Sequence, residues 1–453
     1  MAKVIDFNAP SRLISRANFH YAWVIVAVLA AVQIVALSIN FAGGVLVQPL
    51  ADSDGQFGFS LSNIGASFGL YFLTAAALAP VAGWLGDRYG ARKMMLLGAI
   101  WYGLVLVAVA YMNSAWQLLI VFGVMRGAVQ AIFMVPLMAA VSIWFRRSLG
   151  MGTGVLWAAS GVGPFVMSPL LGNLLVTIGW QSTFLIIGLV AGLVILLLAV
   201  LFRDRPQDLG LNPYGMPDDE PLERRMASDL ESLRVKSFNR HVRRTRAFWN
   251  LPAIHGLGCA GHGIVLLFTV PLAVSRGVSL VDAAWILGIL SLVSISSRLL
   301  TPIIAERHGT KTVMASCLVI QGLSVIYLFF AQSPLDFYIF AAIFGIGFGG
   351  EWTGYLVINR QYFGTGPMGR VYGWQMSGAL LGYAFVSFVA GVMLDLTGTY
   401  NSIIALSLFA SLGGAIVTML LEPTSHMLIG DWEETLPTEA RSALAADTAG
   451  ASD

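Results

Sequence analysis

Arg298 sits well inside the apolar run SLVSISSRLLTPIIAERHGTK, residues 291–311. On a helix, Ser291, Ser294, Arg298 and Thr301 recur at intervals of 3, 4 and 3 and form one polar stripe. Arg298 precedes Glu306 by eight residues, about 12 Å along a helix axis, too deep for easy snorkelling to the nearer surface. Inserting an arginine at that depth costs about 2.5–3.5 kcal/mol, so the default expectation is an ion or substrate site facing a protein-lined cavity. A structural ion pair inside a helix bundle is the competing one. Glu351 is the only acid deep inside an apolar run; Gly347, Glu351 and Tyr355 share one helical face, and Trp352 adjoins it. A buried carboxylate whose charge follows its surroundings can bind and release a proton, as proton coupling requires. A fixed ion pair with Arg126 or Arg298 is the alternative. Arg126, with Gln130 one turn on, is either a second anion contact or a paired structural residue.

His255 and His262 are seven apart and share a face. His262, nearer the middle of its run, is a proton or substrate contact or a hydrogen-bonded packing histidine. Gln33 and Asn40 draw a similar polar stripe through another run, and Trp157, Ser160, Pro164 and Ser168 a third. With Trp352, Tyr355 and Tyr383 these residues could wall a substrate path, or simply bond neighbouring helices. No grouping has metal-ligand spacing and no nucleophile–base pair falls inside the runs, so neither a metal, another cofactor nor an enzyme activity is expected. No GxxxxGK[ST] sequence occurs, which argues against ATP-driven transport within this chain.

The elements that must position these residues are set by composition. Of 453 residues, 57% are hydrophobic and 11% charged, less than half the usual soluble proportion of about 25%. Apolar runs long enough to cross about 30 Å of hydrocarbon are predicted at 21–49, 60–85, 94–113, 116–144, 149–178 and 181–202, then at 249–274, 281–304, 312–331, 335–360, 368–397 and 400–421. The predicted fold is an all-α membrane protein with twelve transmembrane helices. Cys259 and Cys317 lie in apolar runs and read as packing residues. The N-terminus shows no cleavable leader pattern.

Lys and Arg set the expected orientation. With the N-terminus inside, 23 of 26 basic residues fall on cytoplasmic segments, only Arg276 lies opposite, and Arg126 and Arg298 lie within spans. Both termini are therefore expected in the cytoplasm and the protein in the cytoplasmic membrane. The predicted divisions are a cytoplasmic N-terminus (1–20), a six-helix bundle (21–202), a cytoplasmic linker (203–247), a second bundle (248–422) and a tail (423–453) expected to be disordered. The linker holds a possible amphipathic helix at 222–246, and its HVRRTR cluster (241–246) either rests on anionic headgroups or acts as a plain positive-inside anchor.

The two bundles repeat. GWLGDRYGARK (83–93) is echoed by PIIAERHGTKT (302–312), with Asp87/Glu306 and Gly90/Gly309 each 219 residues apart. IWFRRSLGMGTG (143–154) is echoed by RQYFGTGPMGRVYG (360–373), with Phe145/Phe363 separated by 218 and Gly154/Gly373 by 219. Transporters use such paired halves to alternate access to a midplane site.

On these residues the chain resembles the major facilitator superfamily, whose signature loop GxLxDRxGxRK is matched at Gly83, Asp87, Arg88, Gly90, Arg92 and Lys93. WFRRSLGMGTGVLWAASGVGPF (144–165) resembles the span-five motif of the monocarboxylate porters. FGIGFGG and YFGTGPMGRVYG resemble bacterial oxalate/formate antiporter-like members, in which a span-eight arginine binds the substrate carboxylate; Arg298 falls at the matching place. MRGAVQ around Arg126 resembles the span-four region of proton-coupled members. The resemblance also implies a cytoplasmic gate, with Asp87, Arg88, Arg92 and Arg146 in one half and Glu306, Arg307 and Arg360 in the other. The chain departs from the animal porters at Ser294, where they carry an aspartate, and in NFAGGVLVQ (40–48), where they carry a lysine. It also lacks the oxalate carrier's span-eleven lysine in WQMSGALLGYAF (374–385). One fixed cation suits one carboxylate better than two.

The expected function is secondary transport of a small organic monocarboxylate by proton symport or anion exchange. Its expected partners are that anion, protons or a counter-anion, and the bilayer, without nucleic acid, for a monomer. Arg298, Arg126, Glu351, Trp352, Tyr355, Asn40, Gln33, Trp157 and His262 are the expected substrate contacts, with Glu351 and His262 as proton carriers. A larger or zwitterionic substrate, its positive group held by Glu351, is one alternative. A transporter-like sensor that binds without carrying is another.

Overall fold

The computed structural model describes residues 19–52, 55–145, 149–216, 228–364, 369–438 and 441. Arg146 lies outside them, as do the side chains of Asn40, Asp87, Arg88 and Glu306. In chain order the helices are α1 (Ala22–Phe41), α2 (Gly43–Ala51), α3 (Leu61–Tyr89) and α4 (Ala91–Ala110). A π-helical stretch, Leu118–Met125, then runs directly into α5 (Arg126–Trp144). Next come α6 (Leu149–Leu201), α7 (Ser228–Val242), α8 (Arg246–Ser275) and α9 (Leu280–His308). α10 (Thr310–Val325), α11 (Pro334–Phe363), α12 (Gly369–Thr397) and α13 (Asn401–Met419) complete the set.

Among the described residues, ten helices are long and apolar enough to cross a membrane. The sequence predicts twelve spans, and the difference has two sources. The apolar part of α6, Val155–Leu201, is 47 residues long, about 70 Å, more than twice a bilayer core. Gly179 breaks it with φ 75° and ψ 174°. The apolar part of α1, Ala22–Ala36, is shorter than the others.

The two-fold repeat is written in the backbone. Left-handed glycines recur 219 residues apart at Gly58/Gly277, Gly90/Gly309 and Gly179/Gly398. Ser60 and Ser279, also 219 apart, cap α3 and α9 by accepting from Asn63 N–H and Asp282 N–H. The Ser114 N–H donates to Gln117 Oε1 at 3.2 Å, as the Ser333 N–H does to Asp336 Oδ2 at 2.9 Å. Turn and cap chemistry thus repeats between the two halves.

Among the described residues, three main seams join the halves, and small residues bring their backbones together. In the first, α3 packs on α12: a Cβ at Gly65 would strike the Ser387 carbonyl, and one at Gly391 the Leu61 carbonyl. Asp395 closes that seam by accepting from the N–H groups of Leu61 (3.1 Å) and Ser62 (2.8 Å), an anion at a helix N-terminus. In the second, α6 packs on α9, where a Cβ at Gly161 would lie 2.7 Å from Ile295 and one at Gly172 would lie 2.8 Å from Ala284. In the third, Gly44 of α2 abuts the Leu266 carbonyl of α8. Gly65 and Leu61 of α3, Gly172 of α6, Ala284 of α9 and Gly391 of α12 lie in the parts of the helices farther from residue 19, whereas the Gly161–Ile295 contact lies near mid-helix.

Within the second bundle, Gly382 lies against the Gly256 carbonyl, whereas a Cβ at Gly413 would come no nearer than 4.0 Å to Leu257. Gly382→Val is therefore expected to cost about 1–3 kcal/mol. Gly413→Ala should leave stability nearly unchanged. The thermal midpoint of the detergent-purified variants measures both, and equal midpoints would show that the close approach is not limiting.

Part of the tail expected to be disordered folds back. Ile429, Trp432 and Leu436, spaced 3 and 4, are buried in a cluster with Phe238 and Val242 of α7. The Phe238 and Trp432 rings meet edge to face at 5.0 Å. An apolar stripe amid acids is enough to dock a segment onto an amphipathic helix.

Candidate functional site

Arg298 projects from α9 at the α6–α9 seam and is 3% exposed. The close approach at Gly161 lets its guanidinium reach across: Nη1 donates to Ser160 Oγ and to the Trp157 carbonyl (3.3 Å), both on α6. Ser160 Oγ in turn donates to the Trp157 carbonyl at 2.6 Å. The guanidinium carbon lies 5.2 Å from the centre of the Phe348 ring. Arg298 Nε, buried, has no hydrogen-bond partner among the described residues. The polar stripe on α9 is buried throughout: Ser291, Ser294 and Thr301 are at most 5% exposed.

Behind Arg298 lies a polar chain within the second bundle. Tyr355 O–H donates to Glu351 Oε1 at 2.6 Å. Glu351 Oε2 stands 4.0 Å from His262 Nδ1, a contact that becomes an ion pair when the imidazole is protonated. His262 Nε2 bonds the Tyr383 hydroxyl at 2.6 Å. Gly258 makes room for the carboxylate, since a Cβ there would lie 2.7 Å from Glu351 Oε1. Glu351 forms no ion pair with Arg298 among the described residues, though each lies within the other's Coulombic reach. The nearest charge partner of Glu351 is thus a histidine, which the sequence reading did not pair with it.

A central cavity of about 60 Å³ lies between the halves. Gln33, Gln130, Trp157 and Ser160 face it from the first half, and Trp352 and Tyr383 from the second. Two aromatic pairs span it: Trp157 meets Trp352 edge to face at 5.7 Å, and Phe72 stacks on Tyr383 at 4.5 Å and 12°. Trp352 Nε1, though buried, has no hydrogen-bond partner among the described residues. Of the expected substrate contacts, Gln33, Trp157 and Trp352 line the cavity directly. Arg298 and His262 reach it through the residues they bond, Ser160 and Tyr383. Glu351 and Tyr355 sit deeper, fully buried.

Arg126 is elsewhere. Its guanidinium lies 4.4 Å from the Phe122 ring centre and 5.1 Å from that of Tyr71, both in the first half. It begins α5 just where the π-helical stretch ends, a backbone irregularity of the kind that accompanies functional sites and that no residue periodicity announced.

Of the expected gate residues, Arg92, Arg307 and Arg360 have described side chains. Arg92 turns to its own half: its N–H donates to Asp204 Oδ1 at 2.8 Å and its Nε to the Ala199 carbonyl at 3.0 Å. Asp204 thereby caps α4, a role the sequence reading missed. The side chains of Arg307 and Arg360 are exposed.

A family model described as Major Facilitator Superfamily matches residues 28–376 and again 302–445. An uncharacterized MFS-type transporter, YhjX of Escherichia coli (strain K12), is 25% identical over 315 residues, 69% of this chain and 74% of its own. Monocarboxylate transporter 12 of Rattus norvegicus is 23% identical over 358 residues, 75% and 73% of the two chains. Monocarboxylate transporter 2 of Homo sapiens is 23% identical over 366 residues, 76% and 75%.

Proposed function

We infer the function from one premise: the chain belongs to the Major Facilitator Superfamily, whose model spans residues 28–376. It is a multi-pass membrane transporter rather than an enzyme. Its substrate, in our reading, is a small organic monocarboxylate, moved by rocking of the two halves about the central cavity. The observation that carries this is a pair of buried donors without hydrogen-bond partners among the described residues, Trp352 Nε1 at the cavity wall and Arg298 Nε behind Ser160, which lines it. A buried donor left unpaired costs about 1–3 kcal/mol, which an incoming carboxylate would recover. A guanidinium offers that carboxylate a two-pronged, charge-assisted contact. The names of the monocarboxylate transporter relatives agree with this class.

The coupling we propose is proton symport, with Glu351 and His262 sharing the carried proton and Tyr383 linking them to the cavity. Anion exchange is the same cycle run with a second anion on the return. The distribution of basic residues supports a cytoplasmic position for the end bearing residue 19.

Counterflow in proteoliposomes, with lactate, pyruvate, formate, oxalate, aromatic acids and betaine as competitors and a pH gradient as the variable, tests both parts. Monocarboxylates should exchange and oxalate and betaine should not. Exchange of betaine alone would remove the carboxylate reading. Binding without any exchange would mark a sensor.

A further inference from the structure

Helix α7, in the stretch between the two bundles, has two unlike faces. Phe238 and Val242 are fully buried against the second bundle and the tail, with Trp432 and Leu436. The tail also holds the helix through Ser237 Oγ and Thr435 Oγ1 at 2.9 Å. On the other side Lys236, Arg240 and Arg243, spaced 4 and 3, line one surface recess with Asn239. The backbone keeps Arg243 in register, because its N–H donates to the Asn239 carbonyl at 3.1 Å and its own carbonyl accepts from Trp249 Nε1 at 3.1 Å. None of the three cations forms an ion pair among the described residues. The tail acids Asp431, Glu433 and Glu434 are exposed and leave them unpaired.

The depth of this recess is marked by aromatics. Trp249 is 59% exposed, Trp374 is 47% exposed, and their rings lie 6.5 Å apart, in the first turn of α8 and the second of α12. Exposed tryptophans at span ends sit at the headgroup level of a bilayer. Trp249 is bonded to Arg243, so the recess lies at that level too. Leu233, 42% exposed and three residues before Lys236, continues the basic stripe with an apolar side chain. Three unpaired cations, an adjacent apolar contact and a tryptophan belt match a phosphate carried on an acyl chain.

We propose that the α7 recess binds the headgroup phosphate of an anionic phospholipid, and that this lipid fastens the inter-bundle segment and the folded-back tail to the membrane surface. Lys236, Arg240 and Arg243 contact the phosphate, and Leu233 and Trp249 contact the chain region.

The test uses the full chain in nanodiscs of phosphatidylcholine with a minor fraction of phosphatidylglycerol. The readout is lipid retained by the protein after detergent exchange, measured by native mass spectrometry. Wild type should retain phosphatidylglycerol over phosphatidylcholine. Lys236→Gln/Arg240→Gln/Arg243→Gln should weaken that retention roughly 100-fold, at about fivefold per charge. Arg240→Gln alone, the fallback should the triple variant fold poorly, should weaken it several-fold, and Arg205→Gln should not. Unchanged retention in the Arg240→Gln protein overturns the proposal. So does an equal loss with Arg205→Gln, which would mean diffuse attraction. Displacement of phosphatidylglycerol by millimolar inorganic phosphate overturns the lipid assignment in favour of a free-anion site.

Discussion

Arg298→Ala is expected to reduce uptake by about 30- to 4,000-fold while the protein still inserts in the membrane. The range corresponds to the 2–5 kcal/mol that follows truncation of one partner in a buried charged contact, at 1.4 kcal/mol per decade. The loss has two parts. The substrate carboxylate loses the fixed cation behind Ser160, and Ser160 and the Trp157 carbonyl lose the donor that ties α9 to α6. Arg298→Lys separates them. An ammonium keeps the charge but not the planar fork, so it should recover part of the binding and little of the geometry. Ser160→Ala removes only the tie and should cost far less than Arg298→Ala. Normal uptake by the Arg298→Ala protein would remove the central claim; equal losses in the Ser160 and Arg298 variants would make Arg298 a structural latch.

Glu351→Gln is expected to uncouple transport without stopping it. Glutamine fills the same space beside Gly258 and can still accept from Tyr355, but it cannot carry a proton. In proteoliposomes with a pH difference of one unit and no membrane potential, one-to-one proton symport of a monoanion accumulates substrate roughly tenfold, because one pH unit is 1.36 kcal/mol. The Glu351→Gln protein should hold that ratio near one while counterflow proceeds at a comparable rate. His262→Gln should act in the same direction, since His262 Nδ1 is the group facing Glu351 Oε2. Full accumulation by the Glu351→Gln protein would place the coupling elsewhere. Loss of counterflow together with accumulation would instead make Glu351 part of the substrate site.

Much of this molecule was legible in residue order. Ser60 and Ser279 in front of apolar runs announce helix starts, and Gly90 and Gly309 announce sharp turns, because a cap oxygen and a left-handed backbone are local needs that one residue meets. The 219-residue repeat was visible for the same reason. The π-helical stretch before Arg126 was not: any apolar run satisfies it. The docking of residues 429–436 was not legible, because acids at Asp431, Glu433 and Glu434 mask a stripe of three apolar residues whose partner, α7, lies far away in the chain.

The sequence by itself therefore determined the solvent, the helices, the two-fold plan and which side chains were too expensive to be idle. Hydropathy, caps and the cost of burying Arg298 and Glu351 are properties of a residue and its near neighbours. Tertiary structure alone decided who meets whom. That Arg298 holds α6 rather than Glu351, and that Glu351 faces His262, depends on how closely Gly161 and Gly258 let helices approach. Partner choice across a seam is set by the summed packing of whole helices, and no local pattern contains that sum.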